Sequence, residues 1–172
     1  LFPPPQALTA GQDRFHEKKL FAQLGIPVPG NIAVSSLEGL KGAAEHLGLP
    51  AVLKTRRMGY DGKGQAVLRS AADLETAWEA LGAQPLILEA FVPFERELSC
   101  LAVRGRNGEM RFYPLVENVH REGIIRTATP TLNDPLQSQG EDYARRVAEH
   151  LDYVGVLPIS VWLLGNDEPK YA

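Results

Sequence analysis

The sequence has 172 residues, 44% hydrophobic and 23% charged, which is enough apolar material for a packed core in one domain or two small subdomains. A formal net charge of -3 gives no overall attraction to nucleic acid, and a single cysteine excludes an internal disulfide or a cysteine-only metal site. No apolar run approaches the ~20 residues that a membrane helix needs. The opening Leu1-Phe2-Pro3-Pro4-Pro5 lacks the basic start and apolar core of a signal peptide. A chain that starts on a proline run without methionine reads as a piece of a longer cytoplasmic protein.

Asp13 precedes a helical pattern in which Glu17, Leu20, Phe21 and Leu24 share a face, and Gly25, Pro27 and Pro29 stop it. A second helix is expected from Ser35, with Glu38 completing a capping box and Leu37, Leu40, Ala44 and Leu47 as its apolar stripe. Strands at 51–56 and 65–69 flank a long, polar, glycine-rich tip. Ser70 and Asp73 open a third helix carrying Leu74, Ala77, Trp78 and Leu81, and residues 85–89 form a short strand of the buried type.

From Glu97 the texture is mostly β. Strands at 97–104 and 109–116 are joined through Asn107-Gly108, a dipeptide suited to a tight hairpin turn. Another strand covers 123–129, and Ala144, Val147, Ala148 and Leu151 mark a last helix. A final strand, 156–164, runs into Gly165-Asn166-Asp167. Cys100, between Leu98-Ser99 and Leu101-Ala102, reads as a buried inert thiol. The order of elements implies an α+β fold. Residues 1–48 read as a helical lead-in and linker, 49–93 as a small hairpin-and-helix lobe, and 94–172 as a larger lobe built on an antiparallel sheet.

The tip of the first hairpin carries the chemistry. Gly59, Gly62 and Gly64 alternate with Tyr60, Asp61 and Lys63 before Gln65. Neither the P-loop nor the dinucleotide fingerprint fits, because both lie between a strand and a helix and this tip joins two strands. Successive N–H groups of such a loop can converge on phosphate oxygens, and a mobile solvated turn is the plain alternative. Lys54, on the entering strand, points to the face opposite Leu53 and Thr55, where the loop could fold over it. Glu89 and Glu97 flank Ala90-Phe91-Val92-Pro93-Phe94, an extended linker whose backbone could meet a purine edge. A carboxylate there could accept from two ribose hydroxyls. His120, Arg126 and Arg14 carry little weight individually.

Together these residues resemble the ATP-grasp superfamily, and within it the N5-carboxyaminoimidazole ribonucleotide synthetases. The resemblance rests on Gln12-Asp13-Arg14, Val52-Leu53-Lys54, the seven residues from Gly59 to Gln65, and Phe112-Tyr113-Pro114-Leu115-Val116-Glu117-Asn118-Val119-His120. It continues through Gly123-Ile124-Ile125-Arg126-Thr127 and Tyr153-Val154-Gly155-Val156, so it covers almost the whole chain. It implies an ATP-grasp fold incomplete at both ends. It also implies ATP, Mg2+, bicarbonate and 5-aminoimidazole ribonucleotide as cofactors and substrates, in a cytoplasmic homodimer.

By that resemblance Arg14 and Lys54 hold phosphates, and Gly59, Tyr60, Asp61, Gly62, Lys63, Gly64 and Gln65 form a lid that is mobile without nucleotide. Glu89, Ala90, Phe91 and Val92 cup adenine, Glu97 binds the ribose, and His120 joins the nucleotide site. Tyr60, Asp61, Lys63 and Arg126 face the reacting centre. Ser160 stands where the superfamily places a magnesium-binding glutamate, and a serine hydroxyl is a poor substitute. No metal ligand is therefore assigned in this sequence. Three readings compete with the synthetase: a non-catalytic nucleotide-binding module, another ATP-grasp ligase such as a formate-using transformylase or a biotin carboxylase, and a structural domain with a flexible glycine turn.

Overall fold

The computed structural model describes residues 2–59, 63–121, 124–164 and 169–171. Two antiparallel sheets face each other. The smaller contains β1 (Asn31–Val34), β2 (Ala51–Thr55), β3 (Gln65–Leu68) and β4 (Leu86–Ala90) in the order β1-β4-β2-β3. The larger contains β5 (Phe94–Arg104), β6 (Met110–Phe112), β7 (Val116–Arg121), β8 (Ile124–Pro130), β9 (Gly155–Leu164) and β10 (Pro169–Tyr171). Its order is β10-β9-β5-β7-β8, with β6 also on β5. Among the described residues five helices cover them: α1 (Pro5–Gly11), α2 (Arg14–Gln23), α3 (Leu37–Leu47), α4 (Asp73–Leu81) and α5 (Gln137–His150).

Strict alternation sorts both sheets, because successive side chains of a strand point to opposite faces. In the small sheet, Ala51, Leu53, Leu86 and Leu88 turn towards α3 and α4 and pack with Leu40, Ala44, Leu74 and Ala77. In the large sheet, Leu98, Cys100, Ala102, Ile159 and Val161 turn towards α2 and α5 and pack with Leu20, Phe21, Ala144 and Val147. Cys100 is fully buried there, and burial pushes its thiol up to about 11, in keeping with an inert residue. The opposite faces of the two sheets look at each other, with the start of α2 at the edge of the space between them.

Several boundaries differ from the expectation, each for a physical reason. The expected lead-in of 1–48 divides: α2 joins the core of the large sheet, whereas β1 and α3 belong to the small one. β1 is short, but it pairs along its length with β4, so its hydrogen bonds come from a partner distant in sequence. Proline at the first turn of α1 starts that helix, since its missing N–H has no helical partner there. Ser36 rather than Ser35 caps α3, accepting from the Gly39 N–H at 3.0 Å. The expected strand 109–116 is two strands: the chain leaves β5 around Pro114 and returns, pairing Phe112 with Ala102 and Val116 with Ser99. His120 consequently lies within β7, not beyond a strand.

Candidate functional site

Between the bare faces of the two sheets lies a cleft of about 380 Å3. From the small sheet it receives Val52, Lys54, Gln65, Val67 and Glu89, and from the large one Phe94, Glu97, His120 and Trp162. Ala90, Phe91 and Val92 close one end as the link between the sheets, and Arg14 and Lys63 border it. The cross-strand register accounts for the grouping. Val52 lies opposite Glu89 and Lys54 opposite Ile87, so these four share a face. Glu97 lies opposite both Asn118 and Trp162, which puts them in one row across the large sheet.

Two ammoniums and one carboxylate are buried at the base. Lys54 Nζ donates to Glu89 Oε2 at 2.8 Å, and Lys18 Nζ approaches Oε1 at 3.4 Å. Glu89 and Lys18 are each 1% exposed and Lys54 8%, so lysines that would ordinarily be solvated are held under the sheet. Burial alone would raise the Glu89 carboxyl, but the charges of Lys54 and Lys18 outweigh it and hold the group below the usual carboxylate value. Burial pulls the Lys54 ammonium down, against the attraction of Glu89. Within the expected adenine cup, Glu89 is thus engaged by two lysines, and the linker 90–92 continues from it along the cleft.

The large sheet contributes an acceptor held by its neighbours. Glu97 Oε2 accepts from the indole Nε1 of Trp162 at 3.2 Å and lies 3.4 Å from His120 Nδ1. Trp162 stacks on Phe94, with ring centroids 5.0 Å apart and planes at 10°, and the Lys54 ammonium sits 5.5 Å from its ring centroid.

A second, more polar cleft of about 360 Å3 adjoins the first, sharing Arg14, Lys54, Glu97 and Trp162 and adding Gln12, Arg56, Arg57, Gly59 and Ser160. Its framework is Asp13. This residue caps α2 by accepting from the Phe15 N–H, and it receives Arg56 Nε at 2.9 Å, Arg56 Nη2 at 2.7 Å and Arg57 Nε at 3.2 Å. Burial would raise its carboxyl, but the bonds from Arg56, Arg57 and Phe15 bring it down to about 2.

A carboxyl whose folded value is depressed contributes its full stabilisation above its unfolded value near 3.8. That contribution is lost as the pH falls towards 2. Acid titrations should therefore show a transition between about pH 4 and pH 2 that Asp13→Asn removes, with about 2 kcal/mol of stability lost at neutral pH. A variant as stable as the parent at pH 7 by urea unfolding would contradict this.

The sequence candidates divide as follows. Arg14, Lys54, Lys63, Gln65, Glu89, Ala90, Phe91, Val92, Glu97 and His120 all line the first cleft, and Gly59 lines the second. Arg126 is exposed on β8, in a separate surface depression with Val119, Arg121 and Thr127. Tyr60, Asp61 and Gly62 lie outside the described residues, as do Gly123 and the expected turn at 165–167. Gly64 has a local reason to be glycine: its φ is +75°, and a Cβ there would meet Thr55 Oγ1 at 2.8 Å.

Lys18 and Trp162 were not found from sequence. Lys18 lies one turn beyond Arg14 and three residues before the buried Phe21, so helical spacing already placed it beside the packed face. Trp162 follows Ser160 by two on a strand, which puts both on the cleft face. Among the described residues no group of three or more His, Cys, Asp or Glu side chains is gathered where it could hold a metal ion. Nor is any helix among them long and apolar enough to cross a membrane.

A model of the ATP-grasp domain matches residues 19–168. The chain belongs to the ATP-grasp family. Two sheets gripping a cleft between them, with the link at 90–93 at one end, are this family's arrangement here. Among curated relatives, the N5-carboxyaminoimidazole ribonucleotide synthase of Pseudomonas aeruginosa is 52% identical over 157 residues, covering 91% of this chain and 44% of that protein.

The solved N5-carboxyaminoimidazole ribonucleotide synthetase of Thermus thermophilus superposes with a TM-score of 0.90 at 47% identity, over 100% of this chain and 47% of its own. The N5-carboxyaminoimidazole synthase of Aspergillus clavatus, solved with ADP and 5-aminoimidazole ribonucleotide, has a TM-score of 0.89 at 26% identity, over 99% and 45%. The ATP-grasp chain described here thus spans under half the length of the relatives it matches.

Proposed function

We propose that this chain is the nucleotide-gripping part of an ATP-dependent carboxylating ligase of purine biosynthesis, acting in the cytoplasm on 5-aminoimidazole ribonucleotide and bicarbonate. The observation that carries the reading is the cleft itself. A buried lysine at its base, a purine-sized slot beside an extended linker, and an oriented carboxylate opposite are the three things a nucleoside polyphosphate requires. The likeness to a synthase solved with ADP and 5-aminoimidazole ribonucleotide supports the choice of substrates.

In this reading the linker 90–92 offers backbone groups to the adenine edge, with Val52, Val67 and Phe91 against its faces. Glu97, held by Trp162 and His120, keeps an oxygen for the ribose. Lys54 and Arg14 face the phosphates, and the 59–65 loop closes over them. A bicarbonate oxygen attacks the γ-phosphorus, and the bond to the bridging oxygen breaks to leave ADP and carboxyphosphate. The exocyclic amine then attacks the carboxyl carbon, phosphate departs, and the amine proton is lost. Cations fixed before the reaction stabilise the charge that moves onto the leaving phosphate. Closure keeps water from the labile mixed anhydride. Tyr60, Asp61, Lys63 and Arg126 are the candidates for contact with the reacting groups.

The described residues do not fit a magnesium ion held by protein carboxylates. Ser160, in the position where such a group is expected, lies 3.5 Å from Ser99 Oγ, and cationic side chains dominate the polar cleft. No step is assigned to the metal. The same observation favours a second reading, a nucleotide-binding module without turnover.

The test is ATP hydrolysis by the longer protein containing this chain. Hydrolysis that depends on 5-aminoimidazole ribonucleotide supports the ligase. ADP binding with no hydrolysis under any acceptor supports the module, and stimulation by a different acceptor removes the substrate assignment.

A further inference from the structure

The two lysines on Glu89 are not equivalent. Lys54 borders the cleft, whereas Lys18 is enclosed behind it, on a helix whose Leu20 and Phe21 pack into the core of the other sheet. One carboxylate and one lysine already balance each other, so Lys18 is not needed to neutralise Glu89.

Its geometry has a consequence. The Lys54 bond uses only Oε2, at 2.8 Å, and Lys18 stands 3.4 Å from Oε1, an oxygen with no aligned hydrogen bond. With its second oxygen drawn towards α2, Glu89 is kept from turning both oxygens onto Lys54.

Resting on the nucleotide reading above, we propose that Lys18 is a positioning residue. By holding Oε1 of Glu89, it limits the carboxylate to a single bond with Lys54 and leaves the remaining Lys54 N–H groups directed at the phosphates of the bound nucleotide. Lys18 lines neither cleft, so its effect on the nucleotide is transmitted through Glu89. It also ties α2, and with it Arg14 four residues earlier, to the base of the small sheet, so both phosphate-facing cations are set by one carboxylate.

The experiment is calorimetric titration of the chain with ADP and, separately, with adenosine. Lys18→Met should weaken ADP about tenfold while leaving adenosine affinity unchanged, because only the phosphate grip depends on Lys54. Lys18→Arg, which keeps the charge, should restore most of the loss. In a Glu89→Gln background Lys18→Met should have little further effect on ADP.

Equal losses for ADP and adenosine would mean a merely structural lysine and overturn the proposal. So would an unchanged ADP affinity, or an undiminished effect in the Glu89→Gln background. If Lys18→Met does not fold, Lys18→Gln provides the same comparison. Parent protein that binds neither ligand would instead sink the nucleotide reading, an outcome distinct from a parent that binds ADP as tightly as its Lys18 variant.

Discussion

Replacing Glu89 with alanine is expected to lower the unfolding free energy by about 3–5 kcal/mol, because it leaves two buried ammoniums facing each other with the intervening carboxylate gone. The residue is 1% exposed, so water cannot screen the repulsion without opening the base of the small sheet. Glu89→Gln keeps the shape and loses the charge, and should also destabilise, by less. Urea unfolding at neutral pH would register both as lower midpoints with little change in slope.

The folded carboxyl of Glu89 is depressed, so its contribution is complete above the ordinary glutamate range and is lost as pH falls through the folded value. The gap between parent and Glu89→Ala should therefore narrow in acid. A difference below about 1 kcal/mol at neutral pH, against the 3–5 expected for a broken buried pair, would show that the cluster is not the electrostatic unit described here.

The second large effect concerns binding. Lys54→Ala is expected to weaken ADP at least about 100-fold, close to 3 kcal/mol, since it removes the ammonium between Glu89 and the proposed phosphate end of the cleft. Adenosine should be affected far less, because in the proposed binding mode the base and ribose lie on the linker 90–92 and on Glu97. Titration of both ligands separates a lost phosphate contact from a collapsed cleft. Unchanged ADP affinity would place the phosphates elsewhere and favour the plain reading of the glycine tip as a solvated turn.

The sequence showed where most elements lie. Periodicity marked α2, α3, α4 and the last helix, and alternation marked the two long strands that carry Cys100 and Ile159 inward. The same alternation placed Lys54 on the face away from Leu53, which is where it stands. For Lys18 the sign was weaker: helical spacing puts it beside the packed face of α2, but lysine on a helix is usually solvated. Its burial comes from the tertiary fold, which brings Lys18 on α2 to Glu89 on β4, about 70 residues away in the chain.

For Trp162, strand spacing gives the face it shares with Ser160, but only the pairing of β9 with β5 brings its indole to Glu97, 65 residues earlier in the chain. β1 and α1 were lost to prolines and to a short strand with weak local preference, whose hydrogen bonds are completed by distant partners.

Local pattern alone determined the helices, the long strands, the face on which Lys54 stands, and the family resemblance of the glycine-rich stretch. Tertiary structure alone decided that Glu89 is shared by two lysines, that Asp13 binds the root of the loop, and that Trp162 and His120 hold Glu97. Period and propensity act over a few residues, whereas a buried charge is set by whichever distant segment closes over it.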